Sequence, residues 1–317
     1  MIFFIFHDTI SYEVITLKQI QINSIFDDTI LYCNIYEVEN PIAIVQIVHG
    51  MMEYQERYLE FAKFLNNYGF SVITSDIRGH GKNCLPKNLG YMGEIKQDKA
   101  LVLDQISITN YIKETYKDID IYLFGHSMGT MISRNIIQNY DNLYKKVLLT
   151  GAPAPQGIAS LGLLVAKTIK LFKGSYHKSK LLQELSTGSF SKAVPNYKTK
   201  NDWLSYNEEN VEKYNNDSLC GFPFTTSGYI GLFKILVNLG KPRLYKVYNK
   251  ELPILLLSGK DDPCTLGTKG IIKSIKVLQK AGYIYINAKT YDNMRHEILN
   301  EKNKDEVYND ILKFFRS

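Results

Sequence analysis

The chain has 317 residues, 45% of them hydrophobic and 22% charged, with a formal net charge of +6. This is ordinary globular composition, and the length suffices for one large core carrying an insertion. Lysines and arginines are dispersed with no basic cluster interleaved with aromatics, which excludes a nucleic-acid footprint, and no run reaches the ~18 apolar residues of a spanning helix.

The first six residues, MIFFIF, are apolar but too short for a signal peptide and lack a preceding basic segment. Residues 1–10 are therefore taken as a tail, which packs on the body or on a membrane. Cys33, Cys84, Cys220 and Cys264 fit no zinc or redox spacing. They read as free thiols in a reducing compartment, and a cytoplasmic location is expected.

Residues 12–22 and 30–37 read as strands around a turn at Asp27-Asp28. The run IAIVQIV (42–48) suits a strand buried on both faces, as in a parallel sheet. A helix follows over 57–68 with Tyr58, Phe61, Ala62, Leu65 and Tyr68 on one face, and Gly69 stops it. The alternation continues with strand 70–75, a helix near 98–115, strand 120–124, a helix from 128 and strand 146–150. It resumes with strand 253–258, helix 267–281, strand 283–287 and a closing helix over 305–316. Strands separated by helix-length segments predict a mostly parallel sheet with helices on both faces, an α/β fold.

The interruption at 153–240 is too long for a loop and predicts an inserted, mainly helical cap. The expected organisation is thus a core of 11–152 and 241–317 with a cap over 153–240. Within the cap, Leu161, Leu164, Val165, Thr168, Ile169 and Phe172 share a helical face, beside Lys167, Lys170 and Lys173. That face either packs on the core, with the lysines in water, or serves as a membrane contact or the wall of an acyl tunnel. Residues 228–239 form a second apolar helix with the same two readings.

The segment GHSMG (125–129) follows the apolar strand IYLF and opens a helix. In that setting G-x-S-x-G is a nucleophile elbow. The glycines relieve a crowded turn, and Ser127 stands at a helix N-terminus that favours developing negative charge. Acyl transfer also needs two N–H donors for the oxyanion. Met128, after the nucleophile, is one candidate. Met51, after His49-Gly50 in HGMMEYQERY (49–58), is the other. His49 is read as a brace for that loop.

A serine hydroxyl needs a base. Of His7, His49, His80, His126, His177 and His296, only His296 lies after the last strand and before the last helix, where the order serine–acid–histidine puts it. The acid should precede it in ILLLSGKDD (254–262), leaving Asp261 and Asp262. Asp262 is preferred because Pro263 fixes the chain direction after it. His296-Glu297 lacks the second histidine of a zinc motif, no phosphate-cradling glycine loop exists, and no metal or cofactor is expected.

These residues resemble the monoacylglycerol lipases and bacterial lysophospholipases of the α/β-hydrolase superfamily, the serine aminopeptidase-like group. The matching pieces are HGMMEYQERY, DIRGHG (76–81), GHSMG, SGKDDP (258–263) and RHEILNE (295–301), in order, with the cap segment DWLSYNEENVEKYNNDSLCGFPFT (202–225). The resemblance runs from about residue 18 to the C-terminus. It implies an α/β-hydrolase fold, a triad of Ser127, Asp262 and His296, and oxyanion donors at Met51 and Met128. It further implies a cap that holds an acyl chain, and activity on carboxylic esters of small lipid-like molecules. The same machinery would serve a thioesterase or a peptidase, and a hydrolase-fold binding protein without turnover is the remaining reading.

Overall fold

The computed structural model describes residues 16–317; the apolar tip and residues 12–15 lie outside them. Eight strands form one sheet in the order β1-β2-β4-β3-β5-β6-β7-β8. Their ranges are β1 Thr16–Asn23, β2 Ile30–Glu37, β3 Ala43–Val48, β4 Phe70–Ser75, β5 Asp120–His126, β6 Lys146–Thr150, β7 Ile254–Gly259 and β8 Ile286–Tyr291. β1 and β2 pair antiparallel, as do β2 and β4, and every later pairing is parallel.

All six residues of β3 are buried, because side chains alternate between two covered faces. Val45 and Ile47 join Phe61, Leu65, Ile311 and Phe315 on one side. Ile44 and Val48 join Leu101, Ile132, Ile136 and Leu278 on the other. The polar member, Gln46, is satisfied by main-chain and side-chain groups of the covering helix. Its amide donates to Gln105 O (3.0 Å) and its carbonyl accepts from Thr109 Oγ1 (2.7 Å).

The helices are α1 Leu59–Asn66, α2 Gln97–Thr115, α3 Met128–Tyr140, α4 Ala159–Lys173, α5 Lys180–Thr187, α6 Glu208–Asn216, α7 Thr226–Leu239, α8 Gly267–Ala281 and α9 Lys304–Arg316. The segment expected as one helix over 57–68 divides into a 3-10 turn, Gln55–Tyr58, and α1. Gly69, at φ +84°, ends it in a conformation that favours glycine.

The last strand begins three residues later than expected. Tyr283 is buried ahead of it, with its hydroxyl donating to Ile137 O (3.0 Å). β8 itself is an exposed edge strand, so its polar sequence INAKTY hides it from a reading based on apolar runs.

Helices α4 to α7 all fall between β6 and β7. The fully buried residues of α4 are small, and Leu163, Val165 and Ile169 pack against the core beside them. Ala159, Gly162 and Ala166 are buried, whereas Leu161, Leu164 and Phe172 are exposed. A Cβ on Gly162 would lie 2.8 Å from the Phe233 ring of α7, so the two helices approach too closely for a larger residue there. Among the described residues no helix is long and apolar enough to cross a membrane.

Candidate active site

Ser127 sits between β5 and α3 at φ +51°, ψ −116°, a conformation that side-chain-bearing residues rarely hold. Both neighbouring glycines are needed for it. A Cβ on Gly125 would lie 2.6 Å from Ser133 Oγ and 2.7 Å from Gly129 O. One on Gly129 would lie 1.9 Å from Val48 O. The turn is tied down by Ser127 N–H to Thr150 O (2.9 Å) and Thr130 N–H to Ser127 O (2.9 Å). Met128 is the first residue of α3, so helix geometry leaves its N–H without an intrahelical acceptor.

The loop after β3 lies against this turn. A Cβ on Gly50 would be 3.2 Å from Ser127 Cβ, and Met51 follows Gly50 into the same cavity wall. Two histidines brace the loop. His49 Nε2 accepts the Ile77 N–H (2.9 Å), and its Nδ1 meets Gly50 O (2.7 Å). His80 Nε2 accepts the Met52 N–H (3.3 Å). Burial, with His49 beside it, holds His80 well below the usual imidazole range, so it stays neutral as an acceptor must.

His296 and Asp262 are both buried, and His296 Nδ1 meets Asp262 Oδ2 at 2.9 Å. The other carboxylate oxygen accepts the Cys264 N–H (2.8 Å). Asp261 instead accepts the Tyr206 hydroxyl (3.0 Å) at the surface. Burial opposes the charged imidazolium, but the Asp262 charge and hydrogen bond outweigh it and raise the His296 pKa above its ordinary value. His296 Nε2 is buried without a hydrogen-bond partner among the described residues.

His126 lies against the His296 ring, centroids 4.8 Å apart, and burial beside His296 lowers its pKa to about 4. His177 is in the α4–α5 loop, and His7 lies outside the described residues. The Asp262 carboxylate, the Cys264 thiol and the His296 imidazole offer ligand atoms within 4.8 Å of one another. These are the residues that could hold an ion, at the expense of the Asp262–His296 bond.

Ser127, Met51, Met128 and His296 line one cavity of about 470 Å³. Met131, Leu232, Phe233 and Leu236 supply apolar wall, and Gln183, Ser189 and Asn201 supply polar wall. Behind it lies a buried ionic cluster that motif reading did not single out. Arg57 pairs both oxygens of Glu297 (2.7 Å each) and Oε2 of Glu53 (2.7 Å). Glu53 also takes the Tyr58 hydroxyl (2.8 Å) and the Gly50 N–H. Burial alone would raise the Glu297 pKa, but the Arg57 charge lowers it to about 2. The i,i+4 spacing of Glu53 and Arg57 was a legible signal; nothing in the sequence places Glu297 with them.

Residues 39–303 match the Hydrolase_4 family, described as serine aminopeptidase, S33. The chain belongs to this family.

As a Hydrolase_4 member it is similar to proteins of closely matching length. A monoglyceride lipase homolog of monkeypox virus is 25% identical over 90% of this chain and 93% of its own. The phospholipase YtpA of Bacillus subtilis is 23% identical over 86% and 95%. Among solved structures, a thermostable carboxyl esterase from Bacillus coagulans, in complex with glycerol, superposes with a TM-score of 0.87. It is 26% identical over 96% of this chain and 99% of that one. The sheet and its flanking helices are those of an α/β-hydrolase.

Proposed function

We propose that this hydrolase cleaves carboxylic esters of lipid-like substrates, monoacylglycerols or lysophospholipids, through an acyl-enzyme on Ser127. The observation that carries the reading is the His296–Asp262 bond, which leaves a buried Nε2 free in the cavity that Ser127 shares. Asp262 holds the Nδ1–H tautomer, so Nε2 presents a lone pair to the Ser127 hydroxyl. Ser127 Oγ attacks the ester carbonyl as its proton passes to Nε2. The N–H groups of Met51 and Met128 take the oxyanion. The imidazolium then protonates the departing alcohol, and water repeats the sequence on the acyl-enzyme to release the fatty acid.

In this reading residues 153–240 are the cap, and 11–152 with 241–317 are the core. The apolar wall from α7 and Met131 receives the acyl chain. The outer face of α4 is a lipid-surface contact, because Leu171 and Phe172 are 80% and 79% exposed beside the exposed Lys167 and Lys173. The four cysteines are free, which supports a reducing, cytoplasmic setting.

The test is a hydrolysis profile on acyl glycerols of graded chain length, with a lysophospholipid, an acyl thioester and an aminoacyl amide beside them. The highest kcat/KM is expected on a glyceryl or lysophospholipid ester. A preference for the amide or the thioester would overturn the assignment.

A further inference from the structure

Residues 202–210, which lead from the α5–α6 connection into the first turn of α6, cross the loop that carries His296 and are bonded to it on both sides. Before His296, Arg295 Nη1 donates to Asp202 O (2.7 Å) and Ser205 O (3.2 Å). After it, the Glu297 N–H donates to Leu204 O (2.7 Å), and Asn210 Nδ2 donates to Glu297 Oε2 (2.6 Å). Glu301 accepts the N–H groups of Tyr206 (3.0 Å) and Asn207 (3.2 Å). This strap presents one ring to His296 itself. Trp203, the only tryptophan of the chain, stands with its ring centroid 4.7 Å from that of His296 at 43°. Phe190 packs on Trp203 in turn, at 4.8 Å.

The need for such a contact follows from the hydrogen bonding. An imidazole held only through Nδ1 can pivot about that bond, and its second bond forms only with the reacting hydroxyl. Packing must therefore fix it. Three neighbours press on the ring: His126, the backbone at Gly151, where a Cβ would lie 2.9 Å from His296 Cε1, and Trp203. Of the three, only Trp203 comes from the stretch that carries α4 to α7; His126 ends β5 and Gly151 directly follows β6.

We propose that Trp203 is a positioning residue for His296, through which the strap sets the geometry of the general base. The indole fixes the plane of the imidazole, keeps water from it, and offers a π-face to the imidazolium that forms during turnover. This rests on the reading of His296 as the base. The inserted segment then does more than shape the substrate cavity: without it the base is under-supported.

The pair also supplies its own readout. Imidazolium quenches indole emission more strongly than neutral imidazole does, and no other tryptophan contributes. The ionisable groups around His296 are Asp262, Cys264, Glu297, Glu53 and His126. Of these His126 titrates near 4, below the range expected of His296. The emission of the intact wild-type protein should rise with pH through the same midpoint as the acid limb of kcat/KM, and the transition should vanish in His296→Gln. Emission that ignores that limb would overturn the proposal.

Kinetics give a second arm that needs a folded variant. Trp203→Leu should lower kcat about tenfold or more with KM changed less than about threefold, and Trp203→Phe should stay within about threefold of wild type. A wild-type kcat and pH profile in Trp203→Leu would also overturn it. If Ser127→Ala is inactive while Trp203→Leu is normal, only the positioning role falls. If Ser127→Ala remains active, the reading of the site falls instead.

Discussion

Gly129 runs so close to β3 that a Cβ on it would lie 1.9 Å from the Val48 carbonyl oxygen and 2.6 Å from that of His49. Both obstacles are backbone, so no rotamer change relieves the contact. The same approach brings the β3 loop, with Gly50 and Met51, against Ser127. Gly129→Ala should therefore cost about 3 kcal/mol or more, at the upper end of overpacking penalties. Chemical denaturation measures it, and an unchanged midpoint with unchanged slope would show that the elbow has more room than the geometry allows.

Asp262 and His296 make a pH prediction with a definite sign. On the proposed assignment His296 acts as neutral imidazole, so kcat/KM should rise with pH through its pKa. Asp262 raises that pKa, so the acid limb should lie above the ordinary imidazole value of 6.5. Asp262→Asn removes the raising charge and the Nδ1–H acceptor together. The limb should move to lower pH, and kcat should fall by about 10⁴, the loss seen when a triad aspartate is so replaced elsewhere. Asp261→Asn should leave both near wild type, because Asp261 meets Tyr206 and not His296. Profiles of kcat/KM for the two variants decide it.

The Arg57 cluster should act on stability. Arg57→Met leaves Glu53 and Glu297 buried without their cation and should cost about 3–5 kcal/mol at neutral pH. Glu297→Gln offers the pH test. The folded pKa of Glu297, about 2, lies below its unfolded value near 4.5. Its charge thus contributes stability that is fully present above about 4.5 and is lost as pH falls through about 2. The stability gap between wild type and Glu297→Gln should shrink across that window. Urea unfolding at several pH values measures the gap, and one that widened on acidification would contradict the assignment.

Leu171 and Phe172 carry the lipid-surface reading of α4. Replacing both with serine should reduce sedimentation with anionic phospholipid vesicles severalfold, because each removes a large exposed apolar group. Turnover of a short, water-soluble ester should stay within about twofold of wild type, since both residues point away from the packed Gly162–Ala166 face. Equal vesicle binding by variant and wild type would refute the surface contact.

The central sheet was legible because buried parallel strands announce themselves as apolar runs; β3, AIVQIV, carries Gln46 as its one polar member. β8 was misplaced because an exposed edge strand has no such run, while the apolar Tyr283 before it is spent on a buried hydrogen bond. The elbow was readable because crowding fixes the glycines on either side of Ser127, whereas Asp262 and His296, 34 residues apart, could be paired only through the chain order expected of the fold. The packing of α4 was readable only in part. Of the face read from the sequence, Val165 and Ile169 pack against the core while Leu161, Leu164 and Phe172 are exposed, and the close approach to Phe233 is made by Gly162. Glu297 and Trp203 were hidden, since their contacts arise from segments brought together only by folding: Glu297 meets Arg57 across 240 residues, and Trp203 meets the His296 loop from the far side of β7.

The claim that Ser127 attacks an acyl carbon is tested most directly by comparing wild type and Ser127→Ala on a p-nitrophenyl ester, with a fluorophosphonate probe applied to both. The account predicts that wild type turns over the ester and is labelled at Ser127. The variant should lose labelling and nearly all turnover, by about 10⁶ in kcat. Hydrolysis by Ser127→Ala at the wild-type rate would contradict it.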